Sequence, residues 1–323
     1  MKYIIGAYTT APSIQLDNKN LERDFYFNLV EAIPDMRGLE LPFWGDDIHR
    51  YGAEFLFPLM QPEWENILTC IPGTMKSLSQ SPVFGLASDD KHGRAAAIAM
   101  LKRANVFMHR MNDFMSKQSI IAVQIVTAPS MPTAGVFASV DSFRRSLDEI
   151  LLWDWSDAKI VVEHCDTYIE GNLFEKGFLP IEDELKVLGQ LSAENNIGVA
   201  INWARSAIEG RSPDAVIKHL NLAQENNLLT GLIFSGVSSC DERYGSWKDT
   251  HMPFACSFDV ECCEENSLLT KENVRETLKA IDMDKLDYIG IKLLEMSVDD
   301  STIDRRVGLN RDAISILNKI LIS

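Results

Sequence analysis

The chain has 323 residues, 46% hydrophobic and 24% charged, the balance of a globular protein large enough to bury a core without disulfides or structural metals. Its 31 basic and 47 acidic residues leave a net charge of −16, which argues against a general affinity for phosphate backbones or anionic membranes. No apolar run reaches the length of about eighteen residues needed to span a bilayer, and MKYIIGAYTT carries no secretory apolar core, so a cytoplasmic protein is expected.

In chain order, short apolar runs alternate with longer amphipathic segments. Strands are predicted over Tyr3–Tyr8, Gly38–Phe43, Ile67–Ile71, Ile120–Thr127, Lys159–Glu163, Ile197–Asn202, Leu229–Ser235 and Tyr288–Leu294. A helix capped by Asn20 follows the first run, and Pro72–Gly73 is read as stopping the third. The segment Asp90–Lys117 reads as a long helix, with Ala95, Ile98, Leu101, Ala104, Val106 and Met108 on its buried face. Further helices are predicted over Ser142–Trp153 and Ile181–Asn195, after Ser212-Pro213, from a Thr270 cap to Ile281, and from Asn310 to Leu321. Cys70, Cys165, Cys240, Cys256, Cys262 and Cys263 form no C-x-x-C pair and are expected as reduced thiols rather than a disulfide framework or a zinc site.

Strands apolar on both faces and alternating with helices indicate a parallel sheet. Eight such units over this length fit one closed (β/α)8 barrel, a single domain over 1–323. An open doubly wound sheet is the weaker alternative, because GAYTTAPS lacks the glycine-rich turn such sheets carry after the first strand. The long segment after the seventh strand, about 236–269, is expected to be functional because loops of that length are rare in compact domains.

Active sites of such barrels lie at the C-terminal ends of the strands. Polar residues there are Tyr8, Glu40, Gln124, Glu163, His164, Asp166, Asn202, Trp203, Arg205, Ser235, Lys292 and Glu295. In IVVEHCDT, three apolar residues lead directly into a carboxylate, which is costly to bury unless paired or bound to metal. Glu163 is therefore read as a metal ligand or general base, or else as a brace paired with Arg205 or Lys292. His164 points to the opposite face if the strand continues, as a packing residue. Asp249 and His251 form a D-x-H pair that could reach one cation, and Tyr244, Trp247 and Phe254 either stack on sugar rings or pin the loop down. Lys292, flanked by apolar residues, would pair with Glu163, bind an anionic group or act as an amine nucleophile. Glu40 would hold a substrate hydroxyl or an arginine.

The strand order, VEHCD and the loop GSWKDTHMPF together resemble the xylose isomerase-like barrels, a superfamily of sugar isomerases, epimerases and apurinic endonucleases. Within it the chain looks like a group of uncharacterised bacterial proteins described as sugar isomerases. The loop is similar to a G-S-x-x-D-x-H pattern that supplies metal ligands. The resemblance thus implies Glu163, Asp249 and His251 as ligands of one divalent metal (zinc, manganese or cobalt), a carbohydrate or sugar-phosphate substrate, and a homo-oligomer. INWAR departs from the D-x-x-H that usually ends the sixth strand, placing Asn202 and Arg205 at the two ligand positions. Lys292 lies where a glutamate ligand is expected, with Glu295 three residues on.

Three functions follow. The first is a sugar or sugar-phosphate isomerase or epimerase, with Glu163 as base and a metal or Lys292 stabilising the enediolate. The second is a metallonuclease, which the net charge disfavours. The third is a metal-free carbohydrate- or metabolite-binding barrel, or a lyase or hydrolase using Glu163 and Lys292. Tyr8, Glu40, Asn202, Trp203, Arg205, Tyr244 and Trp247 are the expected substrate contacts.

Overall fold

A computed structural model describes residues 2–257, 260–296, 298 and 302–322. In chain order the elements are β1 (Tyr3–Ile5), α1 (Lys19–Ala32), β2 (Met36–Pro42), the short α2 (Ala53–Leu56), β3 (Asn66–Thr69), α3 (Ile71–Gln80), α4 (Lys91–Met115) and β4 (Ile120–Ile125). Then come α5 (Val140–Ile150), β5 (Lys159–His164), α6 (Ile181–Leu191), β6 (Ile197–Asn202), α7 (Trp203–Gly210), α8 (Asp214–Glu225), β7 (Leu229–Phe234), α9 (Lys271–Lys279), β8 (Tyr288–Ile291) and α10 (Ile303–Ile322). Each strand pairs in parallel with the next, and β8 returns to β1, closing an eight-stranded barrel. The expected (β/α)8 architecture is present.

Local chemistry sets several helix starts. The side chains of Asn18, Asp90, Ser139 and Thr270 each accept a backbone N–H in the first turn of α1, α4, α5 and α9. Asn18 thus holds the cap expected of Asn20. Pro72 and Gly73 do not stop β3; they open α3, where a proline costs nothing because first-turn amides have no helical partner. The helix α7, not expected, begins directly at the end of β6. The last helix starts at Ile303 rather than Asn310, and Asn310 is buried inside it, donating to Thr10 Oγ1 at 2.8 Å. On α4 the buried face runs through Ala97, Met100, Leu101, Ala104, Met108 and Met111. Ala95 and Val106, assigned to that face from sequence, are exposed; they lie off the 3.6-residue stripe that the buried residues follow.

The main core lies between strands and helices. A second, smaller cluster fills the barrel interior with Ile4, Ile67, Ala122, Val161, Ala200, Ile233 and Tyr288, one from each strand except β2. On β2 the matching position is Gly38. The Tyr288 ring needs space from β7: a Cβ on Gly231 would lie 2.2 Å from it. One cysteine expectation is corrected: Cys256 and Cys263 form a disulfide across the loop after β7, their Cα atoms 5.0 Å apart. Cys70, Cys165, Cys240 and Cys262 are free.

Candidate active site

Side chains alternate along a strand, so the residue two positions beyond each interior apolar residue also faces the barrel axis, one step nearer the C-terminal mouth. Ile67 leads to Thr69, Ala122 to Gln124, Val161 to Glu163, Ala200 to Asn202 and Ile233 to Ser235. Gly38 leads to Glu40 on β2. One apolar layer therefore carries a polar layer directly above it, and all six of these polar residues are at most 1% exposed. Tyr288 of the lower layer accepts a hydrogen bond from Gln124 Nε2 at 3.2 Å, which ties the two layers together.

Two ion networks meet in the upper layer. On one side, Lys292 donates to Glu40 Oε1 at 2.6 Å, with both side chains buried, and its ammonium lies 5.3 Å from the centre of the Tyr8 ring. Burial alone would lower the Lys292 ammonium, but Glu40, Tyr8 and Glu163 together hold it above the ordinary lysine range. Burial raises the Glu40 carboxyl, and Lys292 reverses this only in part. The pair thus holds its protons more tightly than either group would in water. Tyr8, whose hydroxyl stands 3.5 Å from Glu40 Oε1, separates this pair from a cavity of about 270 Å³ lined also by Pro42, Trp44, Ile48 and His49.

On the other side, Arg205 donates through Nη1 to Glu163 Oε1 at 2.6 Å and through Nε to Asp249 Oδ2 at 3.1 Å. Asn202 donates to the same Glu163 oxygen at 3.1 Å. Lys176, from the loop after β5, reaches Asp249 Oδ2 at 2.9 Å. It is positioned by Asp166, whose Oδ2 accepts the backbone amides of Glu175 and Lys176 at 2.7 and 3.0 Å. His251 Nδ1 lies 3.3 Å from Asp249 Oδ1 and 2.8 Å from the Ser235 hydroxyl. Although burial opposes it, Arg205 and Lys176 hold the Asp249 carboxyl well below the usual carboxylate range. Burial, together with the positive charges of Lys292, Arg205 and Lys176, lowers His251 to about 3, so its imidazole is neutral.

The structure thus gathers Glu163, Asn202, Arg205, Asp249 and His251 in one network and Glu40, Lys292 and Tyr8 in a neighbouring one. Three other expected contacts lie elsewhere. Trp203 is fully buried and donates its indole N–H to Thr277 on α9 at 2.9 Å; as the first residue of α7 it has turned away from the mouth. Tyr244 is buried, its hydroxyl donating to the Leu294 carbonyl at 3.0 Å, and Trp247 packs under the Arg211 guanidinium at 5.4 Å. Both pin the loop. Glu295 is engaged by Arg305 at 2.6 Å and Arg243 at 3.4 Å. Lys176 escaped the sequence reading because its loop has no periodicity. Thr69 could have been found by the two-residue step.

Several buried side-chain oxygens of the mouth have no hydrogen-bond partner among the described residues: Glu40 Oε2, Thr69 Oγ1, Gln124 Oε1, Glu163 Oε2, Asp166 Oδ1, Asn202 Oδ1 and Asp249 Oδ1. Buried polar atoms are normally satisfied, and unpartnered ones collected at one place mark where a polar ligand would complete them. A divalent metal held by Glu163, Asp249 and His251 fits this arrangement poorly. The Arg205 guanidinium bonds an oxygen of each carboxylate, and the donor atoms of Glu163, Asp249 and His251 do not all lie within 4.8 Å of one another.

The profile of the family described as "Domain of unknown function (DUF4862)" matches residues 4–309. The chain belongs to that family. An uncharacterized protein of Salmonella typhimurium (strain LT2) is 37% identical over 317 residues, 98% of this chain and 97% of its own. A solved xylose isomerase domain containing protein of Salmonella typhimurium LT2 aligns over 98% of this chain and 97% of that one, at 9% identity and a TM-score of 0.59. A solved L-ribulose 3-epimerase aligns over 99% and 95%, at 10% identity and a TM-score of 0.57. At such identities the likeness is one of fold: the barrel is built like those of these solved structures, the fold that the sequence resemblance implied.

Proposed function

We propose that this barrel interconverts isomers or epimers of a sugar or sugar phosphate by moving a proton on a carbon next to a carbonyl. The observation that carries this reading is the pair of buried carboxylates Glu40 and Glu163. Each has one oxygen bonded to a fixed cation and the other without a protein partner at the mouth. Glu163 Oε2 takes the proton from carbon. The negative charge that develops on the substrate oxygen is met by Lys292, which has three donors and uses one on Glu40. Glu163, protonated by that step, returns the proton to the product carbon, while Glu40 holds the Lys292 ammonium in place. Gln124, Thr69 and Asn202 supply hydrogen bonds to substrate hydroxyls. The cavity beside Tyr8, with the half-exposed Trp44 ring in its wall, takes the remainder of the sugar. The fold likeness to an L-ribulose 3-epimerase supports a carbohydrate as the substrate class. The cations for this chemistry come from Lys292 and Arg205, and no step is routed through a metal.

The test is solvent exchange. The protein is incubated in D2O with a panel of aldoses, ketoses and their phosphates, and deuterium entry next to the carbonyl is followed by NMR. We expect exchange with at least one member and its loss, by at least about 10³-fold, in Glu163→Gln at unchanged folding. Exchange that survives in Glu163→Gln would remove Glu163 from the mechanism. Binding of a sugar without exchange would instead make this a carbohydrate-binding barrel.

A further inference from the structure

His164 follows Glu163 on β5, so its side chain points out of the barrel, into the layer between the strands and α6, α7 and α8. It is completely buried there and is met by two carboxylates. Nδ1 lies 2.8 Å from Glu184 Oε2 and Nε2 lies 3.2 Å from Glu209 Oε2. A second imidazole, His219 on α8, lies 3.3 Å through its Nε2 from the other oxygen of Glu209. The two rings stand edge to face at 87°, with centroids 4.9 Å apart. Among the described residues, His164, Glu209 and His219 form the one group of three or more histidine, cysteine or acidic side chains whose donor atoms lie within 4.8 Å of one another.

We propose that His164 Nε2, His219 Nε2 and Glu209 bind a divalent transition ion of the zinc class, at a site behind the barrel wall and separate from the mouth. Zinc bound to nitrogen and oxygen at about 2.0–2.1 Å sets neighbouring donors about 3.3 Å apart around a tetrahedron. The two separations from Glu209 to the imidazole nitrogens, 3.2 and 3.3 Å, already have that value. Glu209 offers one oxygen to each ring, the disposition of a chelating carboxylate. The outer nitrogens are held as they are in zinc proteins, where a ligating histidine donates its second N–H to a carboxylate or another fixed acceptor. His164 Nδ1 faces Glu184, itself fixed by the Thr127 hydroxyl at 2.7 Å, and His219 Nδ1 faces the Ser206 hydroxyl at 2.9 Å. With an ion present, both rings are neutral single tautomers with both nitrogens engaged. The charges of Glu184 and Glu209 are then balanced by the ion in a region that leaves the Glu209 side chain only 9% exposed. Such an ion would tie β5 to α7 and α8 and add to folding stability.

The full chain is loaded with zinc or cobalt(II), desalted and assayed by elemental analysis, with thermal unfolding followed before and after chelation. Wild type should retain about one ion per chain and unfold at a lower temperature once chelated. His219→Gln and Glu209→Gln should lose the ion, and Ser206→Ala, which leaves all three donors in place, should weaken binding about 10-fold or more. The mouth variants Glu163→Gln and His251→Ala should retain it, so the outcome does not depend on the proposed reaction. If His219→Gln does not fold, Ser206→Ala and the cobalt(II) absorption spectrum, which reports four-coordinate nitrogen and oxygen ligation, decide. Failure of the wild type to retain any ion would overturn the proposal and leave a buried ion-pair cluster. So would an ion lost in His251→Ala but kept in His219→Gln.

Discussion

Arg205 is the residue on which the mouth depends for charge balance. It is 1% exposed and neutralises two buried carboxylates, Glu163 and Asp249. Arg205→Met should therefore cost about 3–5 kcal/mol in urea unfolding, the usual penalty for leaving one side of a buried pair uncompensated. Adding Glu163→Gln should restore part of that loss, and a double variant no more stable than the single would show that the two do not interact. His251 gives a test by pH. Its folded pKa of about 3 lies below the ordinary value near 6.5, so between these values the unfolded chain binds one more proton than the folded one. Stability is complete above about pH 6.5 and falls as pH drops toward 3, by up to about 1.4 kcal/mol per pH unit from this group. His251→Gln should remove that increment, seen as a shallower fall of the urea midpoint relative to wild type over the same range. Equal slopes would mean that the imidazole is not buried as described. At this scale the sequence was readable where a polar residue interrupted an apolar strand, as with Glu163, Asn202, Lys292 and Glu40. It left open what the aromatics do: Trp203, named for its place at the end of the sixth strand, binds α9, and of the two readings of Tyr244 and Trp247 the contacts favour pinning the loop.

Among the elements, the strands were legible because apolar runs bounded by turns have few other uses, and β6 was found with its limits intact. Helix starts were less so. Asn18 and Asn20 are chemically equal as caps, and only the backbone path selects between them. The helix α7 was invisible because WARSAIEG has only 8 residues and continues directly from a strand, too short a stretch to stand apart. The disulfide joins two cysteines seven residues apart in one loop, a spacing that carries no pairing signal in the sequence. Strand β7 carries its own prediction. A Cβ on Gly231 would overlap the Tyr288 ring in the barrel floor, and that ring supports Gln124 above it. Gly231→Ala should cost about 1–3 kcal/mol through overpacking and should also disturb the mouth. Gly231→Ala combined with Tyr288→Phe, which keeps the ring, should be no more stable than Gly231→Ala alone, whereas Tyr288→Leu should relieve it. Relief by the phenylalanine would point to the hydroxyl rather than the ring.

For the molecule as a whole, the loops after β5 and β7 meet over the mouth. Lys176 bonds Asp249, Lys248 bonds Glu175 at 2.7 Å, and the Asp249 amide donates to Glu175 at 3.3 Å. Lys248 is half exposed, so Glu175→Ala should change global stability by no more than about 1 kcal/mol. Limited proteolysis within these two loops should nonetheless quicken several-fold, because the clasp is local. Unchanged cleavage would mean that the loops are held by the barrel alone. The layering of the interior has a wider consequence. Strands β3 to β7 each give one residue to an apolar floor and the next inward residue to a polar layer, so folding and recognition are inherited through separate positions of the same strand. Exchanging the Glu40–Lys292 pair for two well-packed apolar side chains is the kind of change that commonly leaves a barrel as stable or more so. Lineages descending from this chain could then drift toward new ligands through the upper layer without passing through unfolded ancestors, and a lineage kept for durability alone would lose its charges there first.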